Sequence, residues 1–128
     1  MRLRVALLAA IVILAALAFS LPQAVKADFN GTWLGKTELP EVGVVELTLI
    51  LKKDEDSYAG TIVDSLQTVA PETAIQNVKV EGPDLTFTFP LVSGAIITCK
   101  LTIDGDKMTG QWEHPEGNMG ALTFERKR

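Results

Sequence analysis

Residues 95–107 read Ala-Ile-Ile-Thr-Cys-Lys-Leu-Thr-Ile-Asp-Gly-Asp-Lys, and their pattern is the clearest indication of the fold class. Every odd position from Ala95 to Ile103 is apolar, whereas three of the four even positions between them are Thr or Lys. Because successive side chains of a strand point to opposite faces, this rhythm predicts a β-strand with one dry face and one mostly wet face. The Asp-Gly-Asp that follows is typical of a tight turn, so the strand is expected to lead into a hairpin.

The same two-residue rhythm continues through the chain from Asp28 onward, in short runs separated by Gly, Pro, Asp and Glu. It predicts eight strands and no long helix. The predicted strands are Gly31–Leu39, Val44–Lys53, Tyr58–Asp64, Ala74–Glu81, Leu85–Phe89, Ala95–Ile103, Met108–His114 and Gly120–Lys127. Nearly every link has hairpin length, which favours an antiparallel up-and-down barrel over a sandwich with long crossings. The longer link, residues 65–73, is expected to cap one end and to leave room for a brief helical turn.

An internal echo at an offset of fifty residues supports the barrel. The matching residues are Leu51, Asp54, Asp56 and Gly60 in the first half and Leu101, Asp104, Asp106 and Gly110 in the second. Each set predicts a strand, an acidic turn and a second strand with glycine at its third residue. A glycine inside a strand usually marks a bulge or a bend, and repeated bends help to close a sheet into a barrel.

The first 27 residues have the outline of a signal peptide. Arg2 and Arg4 precede an apolar stretch of about fifteen residues, which is short of the ~20 that a membrane-spanning helix needs, and Pro22 follows it. We therefore predict a leader helix that is cleaved after Ala27 and a single β-barrel domain over residues 28–128. An uncleaved membrane anchor is the alternative. After cleavage no stable membrane span is expected, and the protein would be periplasmic or secreted.

Charge and composition exclude several classes of function. The chain has 12 Lys and Arg against 16 Asp and Glu, and removing residues 1–27 takes away three cations and no acids, so the net charge goes from −4 to −7. Nucleic acid is therefore not an expected partner, because phosphate binding needs clustered cations. One His and one Cys leave little material for acid–base or nucleophilic catalysis. We predict no catalytic residue, no cofactor and no enzyme activity.

Three smaller features each have a plain structural explanation. Asp54-Glu55-Asp56 and Asp104-Gly105-Asp106 place carboxylates close together, but turn chemistry accounts for them, and a full calcium loop needs further ligands. No metal site is predicted. His114 is expected at the surface, and Cys99 is expected to be a buried small hydrophobe without a disulfide partner.

Gly31-Thr32-Trp33 at the start of the first strand resembles the opening signature of lipocalins and related calycin barrels. In that superfamily the Trp closes one end of the barrel, and a cationic side chain from near the last strand lies across it. The resemblance implies that Trp33 and Arg126 form this pair here, an arrangement that contributes ~0.5 to 2 kcal/mol. Classical lipocalins are much longer than this chain.

More of the chain is similar to a group of small secreted bacterial barrels described as lipocalin-like, which also occur ahead of exported α/β-hydrolase domains. The similar segments are 31–33, 47–51, 58–61, 78–80, 85–89, 110–112 and 122–126. They are strand and turn patterns, so the resemblance implies a fold and brings no catalytic residue. We expect no hydrolase domain in this protein, so the activity of such a neighbour does not transfer.

The side chains expected to point inward are Trp33, Leu47, Leu49, Leu51, Tyr58, Ile62, Phe87, Phe89, Ile97, Cys99, Leu101, Trp112 and Phe124. An eight-stranded barrel is either filled by such side chains or holds one small apolar ligand, and both alternatives stay open. If a ligand binds, the expected contacts are Trp33, Tyr58, Phe87, Phe89, Trp112, Phe124 and Arg126. The polar tips of Tyr58 and Trp112 would need a partner that a ligand could supply.

An alternative function is an accessory module that docks a partner protein or an envelope component through its outer face. The identity of such a partner is not indicated by the sequence. This alternative predicts a patch of exposed apolar side chains, with Leu34, Val44, Ile50, Val63 and Ile96 as the outward candidates.

Overall fold

The computed structural model describes residues 27–128, and these residues form an all-β barrel domain. The strands are β1 (Gly31–Leu39), β2 (Gly43–Asp54), β3 (Ser57–Asp64), β4 (Thr73–Ala74), β5 (Gln76–Glu81), β6 (Asp84–Pro90), β7 (Ile96–Asp104), β8 (Lys107–Glu113) and β9 (Met119–Arg126). Within this part of the chain, no helix is long and apolar enough to cross a bilayer. The predicted leader helix lies outside the described residues.

One antiparallel sheet contains all nine strands, in the order β4-β3-β2-β1-β9-β8-β7-β6-β5. The first and last long strands are neighbours, with Trp33 opposite Arg126 and Lys36 opposite Thr123. The two edges of the sheet, β4 and β5, are consecutive in the chain and are separated only by Ile75. The sheet therefore curls into a nearly closed up-and-down barrel, the architecture that the meander of short links predicts.

The prediction of eight strands is wrong by one, because the predicted fourth strand is divided. The backbone N–H of Ile75 still donates to the carbonyl of Gly60 on β3, at 3.0 Å, whereas Gln76 already pairs with Thr88 on β6. The register shifts between Gln76 and Lys79, and Asn77 has a positive φ of 53°. The chain thus changes partner strand at Ile75, and this crossing is what brings the two edges of the sheet together. The link 65–72, where the sequence allows a brief helical turn, contains turns and no helical turn.

The internal echo is a structural repeat of two hairpins. Leu51 pairs with Gly60 in β2–β3, and Leu101 pairs with Gly110 in β7–β8. A Cβ atom at either glycine would lie 1.8 Å from the carbonyl oxygen of the residue that precedes its partner. Both positions therefore exclude any side chain, which is the close backbone approach that a glycine within a strand indicates.

The core packs along the inside of the barrel, and the two ends differ. Twelve of the thirteen predicted inward side chains are buried, and the remaining one, Trp112, is partly buried and packs against them. We call the end that holds residues 28–30, the turns at 54–57, 81–84 and 104–107, and Arg126 the closed end. We call the other end, which holds the links 40–42, 65–72, 91–95 and 114–118, the open end.

Candidate ligand-binding site

A hydrogen-bonded aromatic cluster seals the closed end. Trp33 is completely buried, and its indole N–H donates to the carbonyl of Phe29 at 2.9 Å. The backbone N–H of Phe29 in turn donates to the hydroxyl of Tyr58 at 3.1 Å, and the two rings meet edge to face with centroids 5.4 Å apart. Phe29 precedes the first strand and was not among the predicted inward residues. The polar tips of Trp33 and Tyr58 are thus occupied within the protein.

Arg126 completes this seal, as the resemblance to lipocalins implies. Its guanidinium carbon lies 4.3 Å from the centroid of the Trp33 ring, within cation–π distance. Its Nε donates to Asp106 at 2.9 Å, and its terminal nitrogens donate to the carbonyls of Asp28, at 2.8 Å, and of Asn30. Arg126 therefore ties the chain before β1 to the β7–β8 turn, and its donors are engaged by protein groups.

Local contacts at the closed end stabilise the ionised form of the Asp28 carboxyl. Hydrogen bonding from the backbone N–H of Asn30 lowers the pKa of the Asp28 carboxyl, and the amide side chain of Asn30 and the charge of Arg126 act in the same direction. The carboxylate is exposed, so it orders the residues that lead into β1 without forming a pocket.

Phe87 and Phe124 occupy the middle of the barrel. Both are completely buried. The ring of Phe124 lies over Gly35, where a Cβ atom would be 2.4 Å from it. Phe87 is tilted by 36° against Phe89, with ring centroids 6.3 Å apart. These rings fill the interior between the closed end and the links of the open end.

A cavity of about 220 Å³ lies inside the open end. Its walls are almost entirely apolar and come from seven strands and from the links 65–72, 91–95 and 114–118. The lining residues are Thr37, Leu39, Val45, Leu47, Asp64, Leu66, Thr68, Val69, Phe89, Leu91, Ile97, Cys99, Trp112, His114 and Leu122. Of the seven predicted ligand contacts, Phe89 and Trp112 are at the cavity. The other five lie at the closed end or in the middle of the barrel.

Trp112 presents an apolar face to this cavity. Its indole N–H donates to the hydroxyl of Thr37 at 2.9 Å, and that hydroxyl donates to the carbonyl of Ala121 at 2.6 Å. The partners that Trp112 and Tyr58 need, and that a ligand could have supplied, are thus protein groups. No buried side-chain nitrogen or oxygen atom of the described residues lacks a hydrogen-bond partner. Thr37 shares the inward parity of Trp33, and this polar residue on a dry face was the signal in the sequence that we missed.

The link 65–72 covers the open end and is held there by Asp64. The carboxylate of Asp64 accepts hydrogen bonds from the hydroxyl of Thr68 and from the backbone N–H of Val69, the latter at 3.2 Å. The carbonyl of Thr68 accepts from the backbone N–H of Val92 at 2.8 Å, which joins this link to its neighbour. Val69 is 2% exposed and forms part of the cavity wall. The prediction that this link caps one end is confirmed.

The sulfur-bearing and titratable groups of the cavity are few. Cys99 is free and completely buried, as predicted, and burial raises the pKa of its thiol to about 12. The Nδ1 atom of His114 accepts a hydrogen bond from the backbone N–H of Glu116 at 3.1 Å. Among residues 27–128 no three His, Cys, Asp or Glu side chains come together in a way that could hold a metal ion.

The outer face carries the five predicted apolar side chains, all exposed. Thr48 on β2 pairs with Leu34 on one side and with Val63 on the other, and Ile50 is two residues further along the same face. These three apolar side chains form one small patch. Val44 and Ile96 lie apart, near the open end.

Known proteins that are similar to this chain were found by comparing structures and not by comparing sequences. Neither a known protein family nor a curated protein matches the sequence. Among solved structures, fatty-acid-binding protein 1 of Echinococcus granulosus is 13% identical, with a TM-score of 0.48, over 78% of this chain and 98% of that one. A variant of the fluorescent protein UnaG is 15% identical, with a TM-score of 0.47, over 77% of this chain and 95% of the other. A second UnaG variant gives 16% identity over 78% and 96% of the two chains, with a TM-score of 0.47.

Proposed function

We propose that this protein is a non-enzymatic barrel that binds one small apolar molecule in the cavity at its open end. The observation that carries the proposal is the cavity itself, about 220 Å³ with almost entirely apolar walls. An apolar cavity of about 150 Å³ in another protein binds benzene, whereas sites for drug-sized ligands begin near ~300 Å³. The ligand is therefore expected to be about the size of a substituted benzene or a short alkyl chain.

The driving force is burial of apolar surface, because the wall offers few polar groups. A ligand that loses ~200 Å² of apolar surface gains about 5 kcal/mol before the cost of association, so binding is expected to be weak. Of the ligand contacts predicted from the sequence, Phe89 and Trp112 are the two that we propose touch the ligand. Trp33, Tyr58, Phe87, Phe124 and Arg126 support the site by filling the rest of the barrel.

Titration with toluene, followed by ¹H–¹⁵N NMR, tests the proposal. The chain has two tryptophans, one at each end of the barrel. We expect the indole N–H signal of Trp112 to shift on titration, whereas that of Trp33, which is sealed against Phe29, stays in place. Equal shifts of both signals, or a shift of neither, would contradict binding in this cavity.

A cavity-filling variant and its matched control make the test specific. Val45 lines the cavity, whereas Val80 packs against the core near the closed end and is outside the lining. We expect Val45→Phe to abolish the toluene-dependent shift and Val80→Phe to retain it, provided that both variants give dispersed spectra. Loss of binding in both variants would mean that the effect of Val45→Phe is not steric.

We propose further that the barrel works outside the cytoplasm, in the periplasm or in the medium, after removal of residues 1–27. Supporting this, the sequence of residues 1–27 has the outline of a signal peptide, with Arg2 and Arg4 ahead of an apolar stretch. Native mass spectrometry of the protein purified from its host would report both the mature N-terminus and any retained ligand. A mass that includes residues 1–27 would contradict the cleavage. Docking through the outer face receives less support, because its five outward candidates do not form one patch: Leu34, Ile50 and Val63 lie together, whereas Val44 and Ile96 lie apart.

A further inference from the structure

The open end of the barrel is acidic. Its links, residues 40–42, 65–72, 91–95 and 114–118, contain three exposed glutamates, Glu41, Glu72 and Glu116, and neither Lys nor Arg. Summed charges of one sign at the mouth of a cleft raise the local concentration of oppositely charged ligands. The mouth of the cavity therefore favours the approach of cations and opposes that of anions.

The cavity wall has the same bias. Asp64 is in the lining, and no Lys or Arg is among the lining residues. The nearest cations along the strands that form the wall, Lys36 and Lys100, have exposed side chains on the outer face, and Lys100 pairs with Glu113 at 3.4 Å. Apart from the imidazole of His114, the described lining thus offers a ligand carboxylate no basic side chain. Burying a carboxylate without a Lys or Arg counterion is costly.

Asp64 retains capacity to bind a donor from the ligand. An ionised carboxylate offers about four lone-pair sites, and the hydroxyl of Thr68 and the N–H of Val69 are the donors that it accepts within the protein. These contacts also fix the carboxylate in place, so that its orientation does not have to be ordered when a ligand arrives.

From these observations, and on the basis of the proposed function, we infer that the ligand is a small apolar molecule with a protonated amine, which is held by Asp64 at the wall of the cavity. The apolar body occupies the space beside Phe89 and Trp112, and the ammonium group donates to the carboxylate. This ligand class is opposite in charge to a fatty acid.

Three probes with the same apolar body test the inference: hexylamine, 1-hexanol and hexanoate, titrated at pH 7 and followed through the signal of the Trp112 indole N–H. A hydrogen bond that involves charged groups is stronger than a neutral one, so we expect hexylamine to bind about tenfold tighter than 1-hexanol. Hexanoate is expected to bind more weakly than 1-hexanol. Hexanoate binding as tightly as hexylamine, or 1-hexanol binding tightest, would overturn the ligand class while leaving the proposed function intact. Failure of all three probes and of toluene would instead contradict the proposed function.

The variant Asp64→Asn assigns the effect to one side chain. We expect it to reduce the ratio of hexylamine affinity to 1-hexanol affinity from about ten to about one, because the amine then loses its charged partner. Using the ratio cancels any general loosening of the link 65–72, which would weaken both probes alike. Glu72→Gln, in the same link but exposed and outside the lining, is the matched control and should change the ratio less than twofold. An unchanged ratio in Asp64→Asn would overturn the inference.

Discussion

The buried thiol of Cys99 predicts a loss of stability at alkaline pH that one substitution should remove. Burial raises the pKa of the thiol from 9.0 in the unfolded chain to about 12 in the folded barrel. A group whose pKa is raised on folding contributes stability that is present in full below pH 9 and is lost as the pH rises toward 12. Each pH unit within this window corresponds to about 1.4 kcal/mol, so the whole window corresponds to about 4 kcal/mol.

Urea unfolding at a series of pH values between 7 and 11 measures this effect, in the wild type and in Cys99→Val. Other groups titrate in the same range, but they are common to both proteins and cancel in the difference between the two free energies of unfolding. We expect this difference to be constant up to about pH 8.5. By pH 11 the wild type should have lost about 3 kcal/mol of its free energy of unfolding relative to Cys99→Val. Cys99→Ala should give the same dependence on pH with a different offset, because a smaller side chain leaves a larger cavity.

A difference that does not vary with pH would refute the reasoning. It would mean that water reaches the sulfur through the open end and stabilises the thiolate, so that the cavity is hydrated at Cys99. A dry wall at this position and apolar ligand binding depend on the same exclusion of water, so this result would also weaken the proposed function.

Two further predictions concern the fold that supports the site. In urea titrations, Arg126→Met should lower the free energy of unfolding by about 3 kcal/mol, because the variant loses both the stacking on the Trp33 indole and the charged hydrogen bonds. The control Lys127→Met, at an exposed position, should change the free energy of unfolding by less than about 0.5 kcal/mol. Gly60→Ala and Gly110→Ala should each lower the free energy of unfolding by about 3 kcal/mol or more, because each added Cβ would lie 1.8 Å from a carbonyl oxygen. The two losses should be similar in size. Thr109→Ala, beside the second glycine and exposed, should cost less than about 1 kcal/mol, and a cost as large as that of Gly110→Ala would contradict the steric explanation.

Local alternation was sufficient to predict most of the fold. The bounds Gly31–Leu39 of β1 were predicted without error, and the repeated hairpin was visible as matching residues around Gly60 and Gly110. The division at Ile75 was not predicted, although the alternation breaks there: Ile75 is buried, whereas Asn77 and Lys79, which share its parity, are exposed. What divides the strand is the change of partner from β3 to β6, a property of barrel closure that no local rhythm contains.

The site was less accessible to sequence reasoning, for a physical reason. Parity along a strand predicts which side chains point inward, but it does not predict whether neighbouring side chains fill the space between them. The closed end is filled because Phe29, from outside the strand pattern, reaches Tyr58 and receives the indole of Trp33. Such packing depends on contacts between residues that are distant in the chain, so Trp33 and Trp112 looked alike in the sequence and have different roles in the structure.

The difference between the two ends follows from the pairing of the first and last long strands. Because β1 and β9 are antiparallel neighbours, the residues before Gly31 and those from Arg126 onward meet at one end, and the carbonyls of Asp28 and Asn30 accept from Arg126 there. Closure of the barrel at that end therefore uses the beginning and the end of the described chain. The open end is built from internal links, which can differ in length and charge without disturbing that closure. A cavity, an acidic mouth and a carboxylate in the wall can coexist there because the contacts of Trp33 and Arg126 that close the barrel lie at the opposite end.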